Sequence, residues 1–337
     1  MTALSTGPDR QTVTQRIAVA VARTRVANRL MLLMLPLLVL ALGVAFAILE
    51  PRFLESGNII NVARQSVFLL LIALGQMVVL INAQLDLSVG ATVAFTSVIV
   101  ASATAAIGEG PLALVAGVGI AIAVGVAVGL FNGLIVAVWR VPSFMTTLGT
   151  TSILTGVALL ITKGAPITGV PFSLMDVLGT GAVAGIPVPV IVAALLLLLV
   201  TLFMTRVPAG RNMYAVGGNA EAARVAGINV KGTLILAFVV CGTLSAIAGL
   251  LLTSRLGSGE ASVGGSYVML SIAAAVLGGT SLFGGEGIVW RVLLGVLFLG
   301  VLSNGMNLLH VASYIQEIVI GAVLILAVGV ERLREKA

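Results

Sequence analysis

Charged residues are scarce in this chain. Of its 337 residues only 9% are Asp, Glu, Lys or Arg, whereas 59% are hydrophobic, and the mean hydropathy is +1.21. A soluble domain is about one quarter charged, so this scarcity excludes a water-facing globule. The composition therefore predicts a protein whose solvent is the lipid bilayer.

Residues that bind metals or form disulfides are almost absent. Cys241 is the only cysteine, so it can form no internal disulfide, and its place in an apolar run predicts a small packing residue. His310 is the only histidine, and it lacks a nearby Cys, Asp or second His to complete a metal site. We expect His310 to snorkel or to cap a helix, and we expect no metal site and no catalytic residue.

Nucleotide-binding motifs are missing as well. The sequence contains no Gly-x-x-x-x-Gly-Lys phosphate loop, and its glycine-rich residues 278–287 contain no Gly-x-Gly-x-x-Gly. If ATP drives this protein, we expect ATP and Mg²⁺ to bind a partner chain, with no cofactor bound by this one.

Long apolar runs recur along the chain. Most are roughly 17 to 25 residues long, enough for a helix to cross about 30 Å of hydrocarbon, whereas a β-barrel would show short alternating segments. We predict an all-α polytopic membrane protein with ten spans, at about 30–49, 66–83, 88–107, 112–138, 143–162, 187–205, 233–252, 266–282, 288–307 and 313–330.

The distribution of basic residues supports an even number of spans. Lys and Arg accumulate on the cytoplasmic side of membrane proteins. With the amino terminus inside, fourteen of the 18 basic residues fall inside, and the four outside are Arg52, Arg64, Lys163 and Arg255. We therefore predict that both termini are cytoplasmic, and we attribute the net charge of +6 to an anionic leaflet rather than to nucleic acid.

The amino-terminal region resembles a secretory signal in part. Ala45, Phe46 and Ala47 look like a signal-peptidase site, but the polar lead is too long and the apolar run exceeds the 7 to 15 residues of a signal core. We predict an uncleaved first helix. The expected organisation is a basic cytoplasmic segment 1–29, a single transmembrane domain 30–330 and a cytoplasmic tail 331–337.

Small residues recur every four positions in the fourth predicted span. They are Gly117, Ala121, Gly125, Gly129 and Gly133. This spacing places them on one helix face, where a neighbouring backbone can approach closely. The pattern predicts a packing seam.

Two polar or glycine-rich breaks separate predicted spans. In residues 82–90, Asp86 or Ser88 could accept bonds from the free amides at the start of the third span as an N-cap, or could take part in a transport pathway. In residues 278–287, the glycines permit a tight or re-entrant turn.

Polar side chains inside the spans are few. Amides suit neutral, hydroxyl-rich ligands because they donate and accept hydrogen bonds without charge, but they also join helices. The candidates for a translocation pathway are Gln65, Gln76, Asp86, Ser88, Asn132, Asn304 and Asn307. The spans carry no series of acidic, histidine or lysine residues, which argues against a proton-coupled pump.

One charged, helix-prone stretch lies between spans, in the predicted cytoplasmic loop 206–232. Residues 218–228 have a cap candidate in Asn219, an acidic residue, Glu221, in the first turn, and Gly227 near the end. These positions agree with the rules for helix starts, helix dipoles and helix ends. A polar helix kept outside the bilayer predicts a docking site for another protein.

Four segments together carry a family resemblance. Residues 85–90, 217–230, 278–285 and 300–309, in this order, resemble the ribose-type permeases of ATP-binding-cassette (ABC) importers. The resemblance implies ten membrane helices, a permease dimer with a second copy or a paralogue, a cytoplasmic ATPase, often of two fused nucleotide-binding domains, and a periplasmic or lipid-anchored sugar-binding protein. It also implies the bacterial inner membrane as the location.

The same resemblance assigns a role to the charged stretch. Glu221, Ala222, Ala223 and Gly227 match the Glu-Ala-Ala...Gly loop by which importer permeases engage their ATPase. The predicted coupling residues are Gly218, Asn219, Glu221, Ala222, Ala223, Arg224, Gly227 and Asn229.

The resulting hypothesis is a non-catalytic permease subunit that imports a monosaccharide or a related small polyol. Two alternatives stay open at this point. One is an ABC permease for another small solute, such as a branched-chain amino acid or a nucleoside. The other is a stand-alone secondary carrier.

Overall fold

A computed structural model describes residues 34–335, and it is helical almost throughout. The main helices, in chain order, are α1 (Met34–Leu49), α2 (Ser56–Ile81), α3 (Val89–Ile107), α4 (Pro111–Ala137), α5 (Ser143–Thr162), α6 (Val188–Arg206), α7 (Pro208–Gly218), α8 (Ala220–Val225), α9 (Val230–Leu256), α10 (Tyr267–Leu277), α11 (Val289–Leu308) and α12 (Ser313–Glu335). The prediction of an all-α polytopic membrane protein is confirmed.

Seven of these helices are long and apolar enough to cross a membrane: α2, α3, α4, α5, α6, α9 and α11. Two shorter apolar helices, α1 and α10, and the apolar part of α12 (Ser313–Leu326) lie within the remaining predicted spans. The count of ten spans stays a prediction, as does the position of the termini. The predicted basic segment 1–29 lies outside the described residues, as do the last two residues of the predicted tail, whereas α12 continues to Glu335.

Short elements complete the described part. They are a 3₁₀ turn (Pro51–Leu54), a helical turn (Phe172–Leu174) that continues as π-helix (Met175–Thr180), and a hairpin of β1 (Ala182–Val183) and β2 (Ile186–Pro187). Val183 pairs with Ile186 in the antiparallel hairpin. Ala184 and Gly185 have φ of 51° and 81°, as a two-residue turn with left-handed backbone requires.

Helix α2 forms the centre of the bundle. All sixteen residues from Ser66 to Ile81 are buried, and 89% of its most apolar 18 residues lie inside the protein, against 22% for α6. Helices α9, α10, α11 and α6 pack around α2, whereas only 28%, 28% and 22% of the most apolar 18 residues of α4, α5 and α6 lie inside the protein.

The predicted glycine seam is confirmed. It lies between α4 and α9: a Cβ added to Gly129 would be 2.4 Å from the Phe238 carbonyl oxygen, and one added to Gly125 would be 2.5 Å from Thr243 Cα. The α9 backbone therefore occupies the space that side chains on this face of α4 would take.

Residues 257–266 enter the bundle without forming a helix. Gly259 packs against Ala101 near the end of α3, and Gly264 packs against Gly90 near its start. These two positions on α3 are about 16 Å apart at 1.5 Å per residue. The segment therefore runs along part of α3 without regular helix, with turns at residues 261–266, and α10 follows it with only 11 residues. We predicted a span over 266–282, but the helix ends at Leu277, and residues 278–287 form a turn with left-handed Gly279, Gly284 and Gly285.

The connection between α3 and α4 is hydrogen-bonded to the start of residues 172–180. The Glu109 carboxylate accepts hydrogen bonds from the backbone amides of Phe172 at 2.7 Å and Ser173 at 3.0 Å. The Ser173 amide, followed by that of Phe172, holds the pKa of Glu109 below its ordinary value of 4.5.

Candidate functional sites

Helix α8 is short, but both of its ends are closed by specific bonds. The Asn219 side chain accepts from the Ala222 amide at 2.9 Å, which is the predicted N-cap. At the other end Gly227 has φ of 83°, its amide donates to Arg224 O, and the Ile228 amide donates to Ala223 O, both at 3.0 Å. These bonds form a Schellman ending. The helix covers Ala220–Val225 and not the whole predicted stretch 218–228, because the backbone is extended at Asn219 and left-handed at Gly227.

The outer surface of α8 carries a charged pair and one apolar side chain. Glu221 and Arg224 form an ion pair one turn apart, with their side chains 71% and 65% exposed, and Val225 is 82% exposed. Ala223 is buried underneath. Gly218 and Ala222 are exposed. Asn229 accepts from the Gly232 amide at 3.0 Å and so caps α9.

Helix α7 connects α8 to the centre of the bundle through a contact that we name the glycine junction, formed by Gly217, Ile81 and Gly285. A Cβ on Gly217 would overlap the Ile81 carbonyl oxygen at 1.6 Å, and the Gly285 amide donates to the same oxygen at 2.8 Å. One turn away, the Tyr214 hydroxyl donates to Gly287 O at 3.0 Å. The junction joins α7, the end of α2 and the turn 278–287.

Sequence reasoning did not identify this junction. Two glycine pairs, at 217–218 and 284–285, were the available signal. A glycine pair has many uses, and only the folded chain shows that these two pairs face each other.

The polar residues after α2 form a buried chain of hydrogen bonds. Asp86 Oδ1 accepts from the Ser88 amide at 2.8 Å and from the Ser88 hydroxyl. Asn132 of α4 donates to Ser88 Oγ at 2.9 Å, and Thr150 of α5 donates to Asn132 Oδ1 at 2.6 Å. Ser88 occupies the N-cap position of α3, but neither Asp86 nor Ser88 caps the helix amides as predicted. Their side chains are already engaged with each other and with Asn132.

The non-helical residues 85–87 lie against hydroxyls of α5. The Leu87 amide donates to Thr147 Oγ1 at 3.0 Å, Thr151 Oγ1 donates to Leu87 O at 3.1 Å, and the Leu85 amide donates to Ser143 Oγ at 3.2 Å. Non-helical backbone at membrane depth requires internal hydrogen-bond partners of this kind. The sequence signal is the spacing of Ser143, Thr147 and Thr151 at every fourth residue, which we did not use.

The other predicted pathway residues are not part of the hydrogen-bonded series that joins Asp86, Ser88, Asn132 and Thr150. Asn304 of α11 exchanges two amide hydrogen bonds of 2.9 Å with Asn58 of α2, and Asn307 accepts from Gln316 at 2.8 Å. These contacts join helices. Gln76 is completely buried, and its side-chain amide has no hydrogen-bond partner among the described residues.

Gln65 lines a cavity of about 390 Å³ between α2, α9, α10 and α11. Its polar lining residues are Gln65, Ser66, Arg255, Ser266, Tyr267 and Ser303. The Arg255 guanidinium lies 5.6 Å from the centre of the Phe68 ring. The sequence pointed to Gln65 alone, because the other groups come from different helices.

These features define a class of protein: a polytopic membrane subunit with a capped polar helix outside its spans and with buried polar groups inside them. The sequence profile of a family described as "Branched-chain amino acid transport system / permease component" matches residues 58–328.

Three relatives match most of the chain. A ribose import permease of Bacillus subtilis (strain 168) is 41% identical over 86% of this chain and 89% of its own. A D-allose transport system permease of Escherichia coli (strain K12) is 38% identical over 88% and 91%, and an L-arabinose transport system permease of the same strain is 36% identical over 88% and 89%. No solved structure matches the chain. The chain belongs to this family of ABC transporter permeases, as a relative of its ribose-type members.

Proposed function

We propose that this chain is the permease subunit of an ABC importer for a monosaccharide or a related small polyol in the bacterial inner membrane. The observation that carries this proposal is the similarity to ribose, allose and arabinose permeases over more than four fifths of the chain. The scarcity of charge inside the bundle is consistent with a neutral cargo. Both termini are then cytoplasmic.

The proposed assembly has three kinds of partner. An ABC ATPase, with two fused nucleotide-binding domains, binds ATP and Mg²⁺, while this chain binds no cofactor. A second permease copy or paralogue forms the translocation pathway with this chain. A periplasmic or lipid-anchored binding protein delivers the sugar and supplies most of the selectivity.

The proposed coupling site is the exposed face of α8, with Gly218, Asn219, Glu221, Ala222, Ala223, Arg224, Gly227 and Asn229. Closed caps at both ends make α8 a rigid body, which suits a part that must move as a unit. Its movement passes to α7 and from there through the glycine junction to α2. Closure of the ATPase around ATP then opens the pathway toward the binding protein, and hydrolysis turns it inward.

The charged pair on α8 offers a sharp test of this coupling. In vesicles with the partner ATPase and the loaded binding protein, Glu221→Ala and Arg224→Ala each remove one charge. The double variant Glu221→Arg with Arg224→Glu restores an ion pair of opposite polarity. If the ATPase reads these charges, the double variant loses stimulated hydrolysis and uptake although its assembly is intact. Wild-type stimulation in the double variant would show that the pair only stabilises α8.

A second candidate cargo, a branched-chain amino acid, is favoured by the description of the family. Uptake of ribose, allose, arabinose and leucine, each measured with its binding protein, separates the two cargo classes. We expect ATP-dependent sugar uptake. Leucine uptake alone would replace the sugar assignment, and uptake without any ATPase would establish a secondary carrier.

A further inference from the structure

The cavity beside Gln65 gathers polar side chains that the protein itself does not use. The Ser66 hydroxyl is buried and has no hydrogen-bond partner in the part of the chain that the structure describes. The side chains of Gln65, which is exposed, and of the half-buried Tyr267 and Ser303 also make no hydrogen bond within residues 34–335. Buried polar groups are normally paired, so the unpaired Ser66 hydroxyl inside the cavity, with three further unpaired polar side chains beside it, indicates a ligand that pairs them.

The lining also restricts the chemistry of that ligand. None of the residues that line the cavity is acidic, so it offers no counter-charge to a cation. Amide, hydroxyl and guanidinium groups together supply donors and acceptors in several directions. Phe68 and Tyr267 add aromatic surface, and the Arg255 guanidinium lies over the Phe68 ring. This combination suits a small solute with many hydroxyl groups.

The cavity lies at the end of the bundle opposite to the glycine junction. Gln65 and Ser66 belong to the first half of α2, whereas Ile81 of the junction ends that helix. Arg255 lies in the last turn of α9, whose first turn begins beside α8 at Asn229. If α8 faces the ATPase, the cavity faces the binding protein.

We propose that this cavity is an outward-facing binding site in each permease subunit, which receives the polyhydroxylated solute as the binding protein releases it. Gln65, Ser66, Arg255 and Ser303 hydrogen-bond its hydroxyl groups, and Tyr267 contacts its apolar face. This inference rests on the proposed function and adds to it the residues of a cargo site on the outer side.

The test uses the complete transporter in vesicles with ribose, allose and arabinose as probes. Gln65→Ala and Ser303→Ala each remove one unpaired group without breaking a bond inside the protein. We expect the KM for uptake at saturating binding protein to rise about two- to tenfold for each variant, as the loss of one hydrogen bond implies, with larger effects for the double variant. Because neither change breaks a bond inside the protein, the melting temperature of the purified complex should stay at the wild-type level.

Ser152→Ala is the matched control, because it removes a serine hydroxyl that bonds to its own helix on α5, away from the cavity. An unchanged KM in the double variant would overturn the cavity as a cargo site while sugar uptake itself upholds the proposed function.

A second measurement does not depend on transport. Gln65→Cys is placed in a Cys241→Ala background and treated from the outer side with a membrane-impermeant maleimide. The labelling rate is measured without sugar and with ribose, allose or arabinose as competitor. Labelling that the sugar slows supports the site. Labelling at the same rate with every probe, labelling from the inner side only, or no labelling in a transporter that takes up sugar overturns it.

Discussion

Replacement of Gly217 by alanine tests the glycine junction directly. Its added Cβ would lie 1.6 Å from the Ile81 carbonyl oxygen and 2.8 Å from the Gly285 amide nitrogen. Normal carbon to oxygen contacts are about 3.3 Å or longer, so α7 and the end of α2 must separate by roughly 1.7 Å. The obstacle is backbone on both sides, which cannot turn away as a side chain can.

The cost has two parts. Overpacking of a dense interior costs about 1 to 3 kcal/mol. Separation of α7 from α2 also disturbs the hydrogen bond from Gly285 N to Ile81 O, whose net contribution is about 0.5 to 1.5 kcal/mol. We therefore expect Gly217→Ala to lower the free energy of unfolding by about 2 to 4 kcal/mol.

The neighbouring glycine provides the control. A Cβ on Gly218 meets nothing within 4 Å, so Gly218→Ala should keep wild-type stability. The assay is thermal unfolding of the purified complex, followed by uptake per ATP hydrolysed in vesicles. We expect Gly217→Ala to hydrolyse ATP with less transport per cycle. Equal melting temperatures for the two variants would refute the steric conflict, and a wild-type transport ratio in Gly217→Ala would refute the junction as a mechanical connection.

Three further outcomes follow from other contacts. Gly129→Ala drives a Cβ into the α9 backbone and should lower the free energy of unfolding by about 1 to 3 kcal/mol, measured by thermal unfolding. Gly119→Ala is the control, because a Cβ there meets nothing within 4 Å and the stability should not change. Equal effects of the two variants would contradict the seam. Asn304→Ala leaves the partner amide on α2 unpaired and should cost about 1 to 3 kcal/mol, and Asn304→Gln is not expected to restore the exchange of two bonds. The pKa of Glu109 is depressed in the fold, so its carboxylate stabilises the fold above its unfolded-state pKa, and this contribution is lost as pH falls through the folded pKa. The difference in melting temperature between wild type and Glu109→Gln should therefore shrink below about pH 4. A pH-independent difference would contradict the capping role.

Much of the fold could be predicted because hydropathy and local rules act within single segments. The predicted span 143–162 has the bounds of α5, and the Asn219 cap follows from the sequence around it. The start of α2 was placed ten residues too late, at 66, because Asn58, Asn61, Arg64 and Gln65 make its first turns polar. Asn58 is used in a pair with a residue 246 positions away, which no local window can detect.

The candidate sites also combine residues that local patterns predict with contacts that they do not predict. Asp86, Ser88 and Asn132 were predicted as separate candidates and are found in one hydrogen-bonded chain. The glycine junction and the cavity depend on contacts between distant helices. Local patterns could therefore name individual residues but could not group them.

The shortness of α10 has a consequence for biogenesis. Eleven residues extend only about 16 Å as a helix, roughly half of the hydrocarbon thickness, so this segment alone presents too little apolar length to enter the bilayer from the translocon. The non-helical residues before it place Gly264 directly on Gly90 of α3. We therefore expect α10 to settle only after α3 has been released into the lipid, which makes the order of synthesis, with α3 made well before α10, part of how the chain assembles.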